Sequence, residues 1–131
     1  MQTPLDRTTK YISAVREFMT VQRHATNAMV LGHLQATYPD ISATTVHRIT
    51  ARLYERGELR LAPSGAANVL RYDANLATHD HFMCDVCGML RDAQLGDLVR
   101  PAIENAIGRD CSISGSLTVS GICKQCHKEG V

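Results

Sequence analysis

Four of the five cysteines stand in two CxxC pairs, Cys84 with Cys87 and Cys123 with Cys126, and the 35 residues from 88 to 122 separate the pairs. A CxxC turn points both sulfurs at one spot about 2.3 Å away, so two such turns supply the tetrahedral thiolate set that Zn²⁺ requires. Burial as small apolar side chains is the ordinary fate of a cysteine, but two CxxC pairs rarely arise by chance in so short a chain. The spacing predicts a structural Zn²⁺ whose four thiolates leave no position open for catalysis. Cys111 falls outside the pattern and is expected to be buried and inert. Cys123 to His127 also spell CxxCH, the c-type haem attachment sequence. Haem attachment of that kind goes with export and would leave the Cys84 pair unexplained, so His127 is expected at the surface.

A second group of metal-ligating residue types surrounds the first pair. His79 and His81 are spaced i and i+2, which on a strand places both imidazoles on one face. Asp73 lies upstream and Asp92 downstream, and both carboxylates could converge on the histidines. From spacing alone, a second metal site and a set of polar loop residues at a domain junction are equally open.

These side chains need elements to hold them. Ile12, Val15 and Met19 recur at helical spacing and predict a helix from Thr8 to about Met19. A second helix is expected from Ala25 to Thr37, with Met29, Val30, Leu34 and Tyr38 on its apolar face and Pro39 ending it. Ser42 is placed as the N-cap of a third, about Ala43 to Arg56, which buries Val46, Ile49 and Leu53 and stops at Gly57. ELRLA and NVLRYD then alternate on either side of Pro63, Ser64 and Gly65, the turn chemistry of a hairpin. Three helices followed by a hairpin describe a winged helix-turn-helix. Beyond a polar hinge the pattern predicts strands at His81 to Cys84 and about Met89 to Asp92, a helix from about Leu95 to Ile107, and a strand from Ser112 to Ile122. The fold class is therefore α+β: a winged-helix domain over 1–74, a hinge at 75–78, and a small α/β domain over 79–131 carrying the four-cysteine zinc site.

Composition narrows the function. With 131 residues, 44% hydrophobic and 21% charged, the chain suits one or two small folded domains rather than a large enzyme. Aromatic residues are only 5% and Trp is absent, so the core must be thin and in need of a staple. No apolar stretch approaches the roughly 20 residues of a bilayer span. The opening MQTPLDRTTKYISAV has no apolar run ending in a cleavage site, so a cytoplasmic protein is expected. Residues 1–75 hold nine Lys/Arg against six Asp/Glu, a net +3, whereas the remainder holds five against seven, a net −2. That asymmetry suits a first half facing a polyanion. HExxH, the deaminase-type HxE with PCxxC and a nucleophile elbow are all missing, so the chain is not expected to be an enzyme.

HDHFMCDVCG, the closing GICKQC and SATTVHR before a wing together resemble the ferric uptake regulator family of metal-dependent bacterial repressors, over about residues 8 to 127. The resemblance implies a winged-helix DNA-binding domain, a hinge, and an α+β domain that makes a homodimer. Family members with the regulatory site recruit one more histidine eighteen residues before the serine of the recognition helix, and His24 stands there. The implied sensing site is His24, Asp73, His79, His81 and Asp92. Its carboxylate-rich donors favour Fe²⁺ or Mn²⁺, and zinc-sensing relatives usually carry a thiolate in place of Asp73. Asp at both 73 and 92 resembles the peroxide-sensing branch, in which the histidines matching His24 and His79 are oxidised beside bound iron.

The implied protein is a repressor on double-stranded, palindromic operator DNA, with Zn²⁺ as structural ion and Fe²⁺ or Mn²⁺ as regulatory ion. Its DNA contacts are expected from Lys10, Arg16, Thr44, Thr45, His47, Arg48 and Arg52. His47 departs from the family, standing where a tyrosine usually meets a base. The alternatives are an iron- or manganese-responsive repressor without peroxide sensing and, further off, a zinc-uptake regulator or a zinc enzyme.

Overall fold

The computed structural model describes residues 4–64 and 69–129, and divides the chain into two compact units, 1–76 and 77–131.

The first unit opens with α1 (Pro4–Gln22), whose Val15 and Met19 are buried while Ile12 packs against them. Arg23 then takes a positive φ of 70°, an uncommon conformation for a residue with a Cβ. This bend turns the chain straight from helix into β1 (His24–Thr26). The start expected for the second helix is corrected here. His24 and Ala25 are strand residues, and the Thr26 side chain accepts from the Met29 amide as N-cap of α2 (Asn27–Leu34). Residues 35–37 form a turn, and Met29 is 43% exposed rather than buried.

The third helix, α3 (Ala43–Glu55), follows the sequence closely. Ser42 Oγ accepts from the Thr45 amide at 3.1 Å, Val46, Ile49, Thr50 and Leu53 are buried, and Gly57 at φ 76° ends the helix. β2 (Arg60–Ala62) and β3 (Arg71–Asp73) are the antiparallel legs of the expected hairpin. Gly65 and Asn68, assigned to its turn and second leg, lie outside the described residues. β3 is the centre of a three-stranded sheet of order β1-β3-β2, because the unexpected β1 pairs antiparallel along its other edge. The core of the unit is one cluster of Val15, Met19, Val30, Leu34, Val46, Leu53 and their neighbours.

The second unit holds β4 (Asp80–Cys84), β5 (Leu90–Ala93), α4 (Gly96–Ile107), β6 (Thr118–Gly121) and α5 (Lys124–Lys128). β4 is central, antiparallel to β5 and parallel to β6. The expected strand from Ser112 shortens to four residues because the preceding loop bonds to side chains. The Leu117 amide donates to Asp80 Oδ1 at 2.8 Å, and Arg100 donates to the Gly115 carbonyl at 2.9 Å. Cys111 corrects another expectation. It is exposed, in irregular chain with its sulfur 3.8 Å from the Asp110 carboxylate. Among the described residues, the buried hydrophobic set of this unit reduces to Cys84 and Cys126. No described helix is long and apolar enough to cross a membrane.

Candidate functional site

The four CxxC cysteines come together within the second unit. Cys84 ends β4, Cys87 sits in the tight turn that follows, Cys123 precedes α5 and Cys126 lies inside it. Gly88 at φ 77° closes the first knuckle, its amide donating to the Cys84 carbonyl at 3.0 Å. The four sulfurs lie within 4.8 Å of one another. Cys84 and Cys126 are 3.7 Å apart, and Cys87 and Cys123 are 3.8 Å apart. A tetrahedron with metal–sulfur bonds of about 2.3 Å has edges of about 3.8 Å, so both separations fit a bound Zn²⁺.

Backbone donors prepare the cluster. The Cys87 and Cys123 amides point at Cys84 Sγ from 3.5 and 3.4 Å, and these bonds, the Cys87 amide first, bring the Cys84 thiol down to about 6. Burial pushes Cys126 the other way, up to about 12. A cation at the centre would offset that cost, since four thiolates are its natural ligands.

The remaining histidines and carboxylates form two groups. In the first unit, His24 and Asp73 are direct partners across the β1–β3 ladder, with His24 Nε2 3.3 Å from Asp73 Oδ2. Asp73 is 2% exposed, and its Oδ1 accepts from the Asn75 amide at 2.8 Å, which fixes the carboxylate. In the second unit, His81 and Asp92 are cross-strand partners on β4 and β5. His81 Nε2 lies 3.4 Å and His79 Nε2 3.2 Å from Asp92 Oδ1, and the two rings stand 4.4 Å apart. Two imidazole nitrogens converging on one carboxylate oxygen make an all-N,O donor set, suited to Fe²⁺, Mn²⁺ or Zn²⁺ more than to a soft ion. Each group is a hard-donor partial shell within its own unit.

Sequence reasoning passed over Asp80. It sits between the two histidines, and strand alternation turns it to the opposite face. There it is buried and paired with Arg100 of α4 at 2.6 Å. The period of two, which placed the histidines together, could have found it.

On α3, Thr44, His47, Arg48 and Arg52 are exposed and Thr45 is half-buried, its hydroxyl 3.0 Å from that of Ser42. Lys10 and Arg16 are exposed on α1, but Arg16 is already bound to Glu58.

The comparisons agree with this architecture. The sequence profile of the ferric uptake regulator family matches residues 7–114. The peroxide-responsive repressor PerR of Staphylococcus epidermidis is 24% identical over 118 residues, 88% of this chain and 77% of that protein. The Helicobacter pylori ferric uptake regulator superposes with a TM-score of 0.72 at 19% identity, over 90% of this chain and 80% of that one. A Campylobacter jejuni peroxide stress regulator gives 0.68 at 21% identity, over 92% and 91%. With a profile match spanning both units, joined to a winged helix and a four-cysteine cluster, the chain belongs to the ferric uptake regulator family of metal-responsive regulators.

Proposed function

We propose that this protein is a homodimeric, cytoplasmic transcriptional repressor that binds a palindromic operator and releases it when peroxide oxidises its regulatory site. In this reading Zn²⁺ occupies Cys84, Cys87, Cys123 and Cys126, while His24 and Asp73 join His79, His81 and Asp92 around one Fe²⁺ or Mn²⁺. The observation that carries it is the Asp92 carboxylate oxygen faced by both His79 Nε2 and His81 Nε2, a hard-donor group with no thiolate in it. The likeness to a peroxide-responsive repressor and to a peroxide stress regulator supports the peroxide branch.

These residues would hold Fe²⁺, which when bound would supply the electrons that reduce hydrogen peroxide. The chain's part is to hold imidazoles within reach of that chemistry. His24 and His79 are the rings expected to gain oxygen, which would lower their donor strength and release the metal. With the ligands in place, the two winged helices of a dimer would be held at the spacing of successive major grooves, and Thr44, Thr45, His47, Arg48 and Arg52 would meet DNA, with Lys10 on the backbone and Arg16 reaching it only when released from Glu58.

The test is peptide mass spectrometry after Fe²⁺ loading and a modest dose of peroxide, against a Mn²⁺-loaded control. Oxygen on His24 or His79 with iron alone is expected. Their persistence unmodified would overturn peroxide sensing and leave an iron- or manganese-responsive repressor, whose metal a titration of DNA binding would identify.

A further inference from the structure

A hydrogen-bonded chain joins α2 to α3. Thr50 is fully buried, and its Oγ1 lies 2.7 Å from Asn27 Oδ1. Asn27, the first residue of α2, places its Nδ2 3.3 Å from Nδ1 of His47. His47 and Thr50 are neighbours at i and i+3 on α3.

The direction of the chain follows from its lengths. Bonds of the O–H···O kind centre on about 2.7 to 2.8 Å and those of the N–H···O kind on about 2.9 to 3.0 Å. Thr50 Oγ1 also lies 3.2 Å from the Val46 and His47 carbonyls, and Asn27 Oδ1 at 2.7 Å is the shortest of its three acceptors; the hydroxyl therefore donates to the amide oxygen and leaves the amide nitrogen of Asn27 facing the ring. An amide NH₂ only donates, so Nδ1 of His47 must accept. The neutral ring then carries its proton on Nε2, at the far side from Asn27, and His47 is exposed.

We propose that Asn27 and Thr50 are positioning residues that hold His47 as an Nε2–H donor, and that His47 thereby selects a hydrogen-bond acceptor on a base edge in the major groove. The inference rests on reading the chain as a DNA-binding regulator. Guanine offers two acceptors there, O6 and N7, whereas cytosine offers the N4 amino donor. A ring fixed as a donor favours guanine and rejects cytosine at the same strand position. A ring of the opposite tautomer would reverse that preference.

The experiment selects duplexes from a randomised pool with the full-length Mn²⁺-loaded protein, then varies single positions of the winning sequence. It is run beside nitrogen-15 spectra of the histidine rings at about pH 8.5, well above the ordinary imidazole range. For the unmodified protein the expected results are an Nε2–H ring at His47 and a guanine-over-cytosine preference of about tenfold at one base pair per half-site. His47→Ala should flatten that position and leave the others intact. Asn27→Asp replaces the NH₂ with an acceptor, so the proton should move to Nδ1 and the preference should turn toward cytosine. An acidic residue in the first turn suits a helix N-terminus, so this variant should fold.

An Nδ1–H ring in the unmodified protein, or the same tautomer with and without Asn27→Asp, overturns the proposal. So does a selected sequence that His47→Ala leaves unchanged. If the unmodified protein selects no duplex at all, base reading falls together with the DNA-binding reading, and the spectra still show whether Asn27 sets the ring's proton.

Discussion

The guanidinium of Arg16 grips the carboxylate of Glu58 through two parallel contacts, Nε to Oε1 at 2.9 Å and a terminal nitrogen to Oε2 at 3.0 Å. The pair fastens α1 to the chain just past α3. Hydrogen bonding from Arg16 holds the Glu58 carboxyl below its ordinary value. A carboxyl depressed in the folded state contributes stability above its unfolded pKa, and that contribution disappears as pH falls through the folded one. The melting temperatures of the unmodified protein and Glu58→Gln should therefore differ slightly at about pH 6 and converge by about pH 3. Thermal melts across that window check it.

The same pair bears on DNA binding. An arginine bound to a carboxylate is not a ready phosphate ligand, so Arg16→Ala should change the salt slope of operator binding less than Arg48→Ala. Glu58→Gln should free the guanidinium and steepen the slope by up to about one unit. Binding isotherms at several salt concentrations decide it.

Asp80 is the bolt of the second unit. Its Oδ1 takes bonds from Arg100 at 2.6 Å and the Leu117 amide at 2.8 Å, joining β4, α4 and the approach to β6. Asp80→Ala strands both donors and should cost on the order of 2 to 3 kcal/mol. Urea unfolding of the metal-loaded protein measures it.

Cys126→Ser should drop the zinc content from about one ion per chain to near zero, because a structural site needs all four thiolates. Hydrogen exchange should then show protection lost across 80–126 and kept across the core around Val15, Val46 and Leu53.

Asp92→Ala should weaken Fe²⁺ or Mn²⁺ binding by at least about tenfold and leave zinc content unchanged, since it removes the oxygen that both His79 and His81 face. Metal titration with zinc quantified in parallel separates the two effects.

Where a signal was local, the sequence carried it. Ser42, the spacing of Val46, Ile49 and Leu53, and Gly57 describe α3 from cap to stop, and the CxxC pairs announce their own cluster. β1 could not be read that way. Three residues show no alternation worth the name, and what makes them a strand is pairing with Arg71–Asp73, far along the chain. For the same reason nothing local in the sequence places His24 opposite Asp73. Cys111 departs from the usual burial of free cysteines, because nothing local reveals that its loop lies at the surface. The Asn27–His47 contact depends on the packing of α2 against α3 and has no pattern in one dimension.

The parallel pairing of β4 with β6 has a consequence for the protein's birth. Cys84 and Cys87 are made early, and their partners Cys123 and Cys126 follow only after the intervening 35 residues. At about 5 to 20 residues per second, a ribosome takes about 2 to 7 seconds to cover that stretch. Through that interval the nascent chain presents two thiols with neither a closing strand nor a complete metal shell. Oxidants or competing soft metals would meet a half-built knuckle then, so completion of the four-cysteine cluster depends on conditions during synthesis as well as on the fold.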